Sequence, residues 1–436
     1  MTQRFVTIAS ALLFGGLLGY TVRGGSGSAR VDLSRSGGVE YYSEPQEAVR
    51  VRMEAVAAMA KQQGKRVVLL TGAAGFVGFH TALRMHDEGD VVIGVDNFNH
   101  YYDVQLKRKR AELLRRAGMH TLIEGDVCDG ELLELLLRSG GVTHVIHLAA
   151  QAGVRYSLKK PLAYVEANVK CFVVLLEAVH AVNNSVPITY ASSSSVYGIN
   201  TEVPFSESHR VDSQVSLYGA TKKANENIAH VYHNLHKLKL TGLRFFTVYG
   251  PLGRPDMAYF DFTQAILAGK RLVEYRNADG TELERDFTYI SDIVSGVVAA
   301  SRLGAPLEVF NLGNTHPEKV STLIRLLEGG LGRQANISRA PISAGDVPRT
   351  FADVSHAREV LKYKPQVSLA EGVRRFLLWY GAYYKVELPP AMEPTRKEAA
   401  DLRNTYDLIA GRRIGQQSGR HLRSMVRAEK RKNRHS

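Results

Sequence analysis

Tyr218 and Lys222 stand four positions apart at the start of a helical stretch, so both side chains leave the same helix face. A phenol with a pKa of about 10 is a poor base near neutrality, but a neighbouring ammonium favours its anion. Such a pair can withdraw a proton from a substrate hydroxyl. The run Ser192-Ser193-Ser194-Ser195 ends the preceding strand-like segment, where its hydroxyls can reach the same oxygen. Alone, Tyr-x-x-x-Lys is also a common surface pair and a serine run an ordinary turn. Their conjunction points to proton transfer.

A second constellation lies near the start of the folded region. Thr71-Gly72-Ala73-Ala74-Gly75-Phe76-Val77-Gly78 follows a strand pattern and opens a helix pattern. Glycines so spaced allow a tight turn, a close approach of pyrophosphate to backbone, and close helix–strand packing. Asp96 closes the next strand, where a carboxylate accepts from the adenine ribose hydroxyls and repels a 2′-phosphate. NAD is therefore the expected cofactor, bound by Gly72, Gly75, Phe76, Val77, Gly78 and Asp96. Asp126 and Val127, after the third strand, are placed near the adenine, although a simple turn reads nearly as well.

These groups need a scaffold. Strand-like runs at 67–70, 91–95, 121–125, 143–149, 187–192 and 242–246 alternate with helical patterns such as Gln105–Arg116, Asn168–Val182 and Tyr218–His236. That alternation predicts an α/β fold, a doubly wound parallel sheet of Rossmann type. The expected catalytic domain spans 64–385, with the dinucleotide part mainly at 64–245. A smaller, interleaved C-terminal substrate lobe is expected mainly at 246–385. Asn168 reads as a helix opener and His147, ending a strand, as structural.

Both ends differ from this domain. Phe5 to Val22 holds eighteen uncharged residues between Arg4 and Arg23. At about 1.5 Å per residue, such a helix nearly crosses a hydrocarbon core of about 30 Å. The reading preferred is an N-terminal transmembrane anchor at 1–23, with a cleaved signal peptide as its rival. A stem at 24–63 follows, carrying a short helix around Glu47 to Lys61. The expected topology is single-pass, with the catalytic body in the lumen of the Golgi or another secretory compartment. The net charge of +13 is concentrated from Gly411 onward, where nine Lys or Arg face the single acid Glu429. The segment 386–436 reads as a solvated basic tail, and no nucleic-acid partner is expected. Cys128 and Cys171 lack metal or redox spacing, fall in core-like segments and read as inert thiols. No metal site is expected.

Taken in order, TGAAGFVG, the Asp96 strand end, HLAAQAGVRYS (147–157), YASSSSVYG (190–198) and YGATK (218–222) resemble the extended short-chain dehydrogenases. DNFNHYYDVQLK (96–107), RFFTVYGPLGRPDMA (244–258), RDFTYISDI (285–293) and GDVPRTFADVS (345–355) narrow the resemblance to the UDP-glucuronate 4-epimerases, over about Arg66 to Tyr380. The resemblance implies that Tyr218 is the base at the C4 hydroxyl while hydride passes to NAD. Lys222 would bind the nicotinamide ribose and depress the tyrosine pKa, and Ser193, helped by Ser194, would bond the catalytic oxygen. The related dehydratases carry acids where Ser194 and Ser195 stand, and the decarboxylases carry one at the place of Ser195, which favours plain epimerisation. Thr247 and Arg254 would grip the substrate carboxylate, a role suited to a guanidinium. Arg155, Arg285, Asp346 and Arg349 are expected around the UDP moiety. Leu252 replaces a tryptophan usual in relatives, leaving one wall of the sugar pocket open to question. A homodimer is implied, joined by two helices from each subunit. Rival readings are an epimerase of UDP-glucose or UDP-N-acetylglucosamine, and a non-catalytic dinucleotide- or RNA-binding relative.

Overall fold

The computed structural model describes residues 19–24, 27–32, 46–119, 121–342 and 345–395, in two units, 1–40 and 41–436. In the first unit, β1 (Gly19–Gly24) pairs antiparallel with β2 (Gly27–Asp32), Gly19 opposite Asp32. The expected membrane helix lies outside the described residues as far as Leu18, and its last positions belong to β1. Among the described residues no helix is long and apolar enough to cross a membrane. The basic run from Gly411 also lies outside the described residues.

The second unit opens with α1 (Gln46–Gln62), the helix expected in the stem. There follow β3 (Val67–Thr71), α2 (Phe76–Asp87), β4 (Val91–Asp96), α3 (Val104–Arg116), β5 (Leu122–Glu124), α4 (Gly130–Ser139) and β6 (His144–His147). Two short helices, α5 (Val154–Lys159) and α6 (Pro161–Tyr164), lead through a π-helical turn into α7 (Cys171–Val182). The half ends with β7 (Ile188–Ser193), α8 (Leu217–His236) and β8 (Leu240–Phe245).

Beyond β8 the chain builds a smaller lobe from β9 (Thr247–Tyr249), α9 (Ala258–Leu267), β10 (Arg271–Arg276) and β11 (Glu284–Tyr289). It returns to the large sheet through α10 (Ile290–Leu303) and β12 (Leu307–Leu312). Next come β13 (Pro317–Lys319), α11 (Val320–Leu331), β14 (Asn336–Pro341), α12 (Ser355–Leu361) and α13 (Leu369–Tyr384). The lobe is interleaved because β12 lies in the main sheet while the strands on both sides of it in sequence do not.

The main sheet runs β12-β8-β7-β6-β3-β4-β5, and every neighbouring pair is parallel. Strands of such a sheet are covered on both faces, which is why Val67 to Leu70 is unbroken hydrophobic sequence and wholly buried. Alternate residues serve different cores. Val68 and Leu70 pack with Phe79, Met85 and Leu113, whereas Val67 and Leu69 pack with Val49, Leu136 and Leu175. Thus α1 contributes Val49 to the second core. The chain leaves β3 toward β4 on one side and reaches β6 on the other, so the carboxyl ends of β3 and β6 form a crevice where ligands settle.

One expectation is overturned. Cys128 and Cys171 are bonded to each other as a disulfide and are not inert thiols. Read singly, each sits in a core-like segment. The fold brings the turn after β5 against the start of α7.

Candidate active site

A cleft of about 1460 Å³ runs along the carboxyl ends of the main strands and under the smaller lobe. Single small-molecule sites hold roughly 300–1,000 Å³, so this one has room for a dinucleotide and a second large ligand.

At one end the turn between β3 and α2 is fixed by glycine. Gly72 has φ +73°, and a Cβ there would lie 2.7 Å from the Ala149 nitrogen. A Cβ on Gly78 would sit 1.9 Å from the Gly72 carbonyl oxygen. Only glycine lets α2 start this close to the strand, and the cradle fits a dinucleotide pyrophosphate. Gly75, Phe76 and Val77 line the cleft where first-turn N–H groups lack helical partners. Asp96 lines it too, but its carboxylate also accepts from the Ala74 nitrogen at 3.0 Å and the Phe98 nitrogen at 2.9 Å. Burial pushes the Asp96 carboxyl up, against the nearby Lys107 charge. Asp126 and Val127 line the adjoining stretch. There the Asp126 carboxylate accepts from the Cys128 nitrogen at 2.8 Å, next to the disulfide.

The catalytic candidates meet at the centre. Ser216 caps α8 by accepting from the Gly219 nitrogen at 3.1 Å, which starts the helix just before Tyr218. One turn on, Lys222 is buried beneath and donates to the Ala191 carbonyl of β7 at 2.9 Å. Ser193 ends that strand, its hydroxyl 3.2 Å from the Ser195 hydroxyl. Ser193, Ser194, Tyr218 and Lys222 all face the cleft.

Electrostatics here differ from expectation. Burial raises the Tyr218 phenol above its ordinary value, while the Ser193 hydroxyl and the Arg254 charge pull it back. Lys222 is not among the groups that lower it. Burial brings the Lys222 ammonium itself down to about 8. Among the described residues, the cation that lowers the Tyr218 pKa is Arg254.

Arg254 and Thr247 reach the cleft from the smaller lobe. Arg254 Nε donates to Asp256 Oδ1 at 3.0 Å and Nη2 to Oδ2 at 2.5 Å, while Tyr101 donates its hydroxyl to Oδ2 at 2.8 Å. Burial opposes the Arg254 charge, but Asp256 more than offsets it. Farther out, Asp346 accepts from Arg155 at 3.0 Å, with Arg285 3.8 Å away. The Arg155 guanidinium lies 4.6 Å from the Tyr275 ring centre. Burial lowers the Arg285 pKa, so an anion placed there would relieve a buried cation.

Several expected roles are corrected. Arg349 does not line the cleft; its guanidinium pairs with Glu284. Asn168 caps no helix: it is buried within the π-helical turn, where its amide accepts from the Gln151 nitrogen at 2.8 Å and donates to the Gln151 carbonyl at 3.0 Å. Leu252 forms no wall of the sugar pocket, because its side chain is in the core and its carbonyl accepts from Arg110 at 2.7 Å. His147 is structural as read, bonded to Thr71 at 2.8 Å, with burial bringing its pKa to about 3. Tyr101, Arg110 and Asp256 were not foreseen. Asp256 stands two residues from Arg254, a spacing that a loop, unlike a helix, can fold into an ion pair.

The GDP-mannose 4,6 dehydratase family model matches residues 69–376. A UDP-glucuronate 4-epimerase of Arabidopsis thaliana is 51% identical over 357 residues, covering 78% of this chain and 77% of that one. Another from the same plant is 52% identical, over 73% of this chain and 76% of that one. The Bacillus cereus UDP-glucuronic acid 4-epimerase, solved with UDP-glucuronic acid and NAD, superposes with a TM-score of 0.67. It is 34% identical and covers 72% of this chain and 99% of its own.

Proposed function

The chain belongs to the UDP-glucuronate 4-epimerase family, and we propose that it interconverts UDP-glucuronate and UDP-galacturonate by reversible oxidation at C4. NAD, when bound, supplies the acceptor and later the donor of the C4 hydride. The chain's own residues then have three tasks.

The first is proton transfer. Tyr218 takes the C4 hydroxyl proton and returns it to the same oxygen once the keto sugar has turned to accept hydride on its other face, with Ser193 bonding that oxygen and Ser194 beside it. Burial of Tyr218 favours the phenol, so the base needs positive charge close by, from Arg254 and from the bound cofactor's ring.

The second task is to hold the carboxylate. A 4-keto uronate is a β-keto acid and loses CO₂ when its carboxylate aligns with the carbonyl. Thr247 and Arg254 restrain it. The third is to hold the diphosphate, for which Arg155 and Arg285 stand ready around Asp346.

The observation that carries this reading is the convergence of Ser193, Tyr218, Lys222 and Arg254 in one cleft with the glycine cradle. Purified protein given UDP-glucuronate and NAD should yield UDP-galacturonate with NAD regenerated. UDP-xylose as the sole product, or turnover of neutral UDP-sugars alone, would overturn it.

Two further readings are proposed. The uncharged segment 5–22 anchors the chain with its catalytic body in a secretory lumen, and the Cys128–Cys171 disulfide supports an oxidising compartment. The protein pairs as a homodimer through α8 and the helical stretch before α7, where Val231, Leu235, Leu162 and Val165 are exposed.

A further inference from the structure

Arg254 is held on one side only. Its Nε and Nη2 are committed to Asp256, while Nη1 donates to no partner among the described residues. Asp256 is itself fixed from behind. Its Oδ2 accepts from Tyr101 as well as from Arg254, and the Tyr101 ring lies 5.7 Å from the guanidinium carbon. Tyr101 reaches this point because residue 153 is glycine: a Cβ there would lie 2.1 Å from the Tyr101 hydroxyl oxygen. The Gly153 turn is in turn pinned by Tyr164, whose hydroxyl donates to the Ala152 carbonyl at 2.8 Å and the Gly153 carbonyl at 2.5 Å.

We propose that Tyr101 and Asp256 are positioning residues for Arg254, clamping one edge of its guanidinium so that the remaining Nη1 edge is presented to the uronate carboxylate. This rests on the reading of Arg254 as the carboxylate grip and names what sets its direction. An arginine alone carries several freely rotating bonds, and immobilising such a side chain on binding weakens affinity. A guanidinium already fixed by a carboxylate, which a phenol fixes in turn, has met that cost in the free protein. Tyr101 can serve because a phenol is protonated and able to donate near neutrality, and burial raises its pKa further. Asp256 can serve because, against the effect of burial, Arg254 holds its carboxyl below the usual range and ionised.

A loosened grip has a chemical signature. Once C4 is oxidised, breaking the C5–C6 bond releases CO₂, and the electron pair left on C5 takes a proton, giving a UDP-4-keto-pentose. A carboxylate held out of line with the carbonyl does not follow this route. Poor orientation of Arg254 should therefore raise CO₂ release per epimerisation, which a general loss of fold would not do.

The test compares wild type, Tyr101→Phe, Asp256→Asn and Arg254→Leu, each checked for an unchanged melting temperature. Dissociation constants for UDP-glucuronate and UDP-glucose are measured in NAD-loaded protein, together with CO₂ released per UDP-galacturonate formed. Wild type should prefer UDP-glucuronate, and Arg254→Leu should lose that preference; if either fails, the reading of Arg254 falls and this proposal with it. Given that preference, Tyr101→Phe should weaken UDP-glucuronate binding several-fold to about tenfold, as expected for one charge-assisted hydrogen bond, with UDP-glucose little changed and CO₂ release increased. Asp256→Asn should do the same more strongly. Tighter UDP-glucuronate binding by Asp256→Asn would show that Asp256 competes with substrate, and equal losses for both sugars would show a merely structural role. Either result overturns the proposal.

Discussion

The Lys222 ammonium lies 2.9 Å from the Ala191 carbonyl oxygen, buried under the strand that delivers Ser193. This bond, together with that of the Ser192 hydroxyl to Glu226 at 2.7 Å, ties α8 to β7 and holds Tyr218, one turn earlier, against the serine hydroxyls. It also keeps a cation in a place where burial brings its pKa down to about 8.

Stability should register that cation. The unfolded chain holds the Lys222 proton up to about pH 10.4, the folded one only to about 8, so the unfolded state binds more protons between them. Stability therefore rises with pH through this window. Lys222→Met should be more stable than wild type at pH 7 by on the order of 1–3 kcal/mol, with the gain fading toward pH 10. Denaturant melts at pH 7, 8.5 and 10 measure it; a constant difference would contradict the buried cation.

Tyr218 should be a phenol without cofactor. Burial raises its pKa, and the Ser193 and Arg254 contributions only partly offset this. The difference spectrum between wild type and Tyr218→Phe should show no phenolate absorbance at pH 8 in the free protein. Phenolate should grow in when NAD is added. Equal signals with and without NAD would mean that the protein alone activates the base.

Gly78→Ala should abolish cofactor binding. The added methyl would sit 1.9 Å from the Gly72 carbonyl, against backbone that cannot give way without moving the cradle. Calorimetric titration should find NAD affinity lowered at least about 100-fold, near 3 kcal/mol. Binding at wild-type strength would remove the cradle from the account.

The Cys128–Cys171 disulfide closes a loop across a sequence separation of 43. Removing it with Cys171→Ala or a reductant should lower stability by about 2–4 kcal/mol. The bond sits beside Asp126 and Val127 in the cleft wall, so NAD affinity should fall along with the melting temperature. Unchanged melting after verified reduction would show that the bond constrains nothing.

Much of this arrangement was legible in the sequence because it follows from local periodicity. Hydrophobic runs set the ends of β3 to β8 to within two residues, and the starts of α3 and α8 to within one. Tyr218, Lys222 and Ser193 announced themselves by spacing along one helix and one strand end. Asn168 does not open a helix, because its helical stretch begins at Pro161 and passes through a π-helical turn, which no residue pattern marks. Other features escaped because they depend on contact between distant segments. The disulfide joins a turn to a helix start, and Arg349 is drawn away by Glu284. Tyr101 meets Asp256 across 155 positions.

The account is tested most directly by replacing the phenol and following the sugar. Wild-type protein with UDP-glucuronate and NAD should produce UDP-galacturonate, and Tyr218→Phe, folded and still binding NAD, should be slower by about 10²–10⁴-fold. If Tyr218→Phe epimerises at the wild-type rate, another group removes the C4 hydroxyl proton and the central claim is wrong.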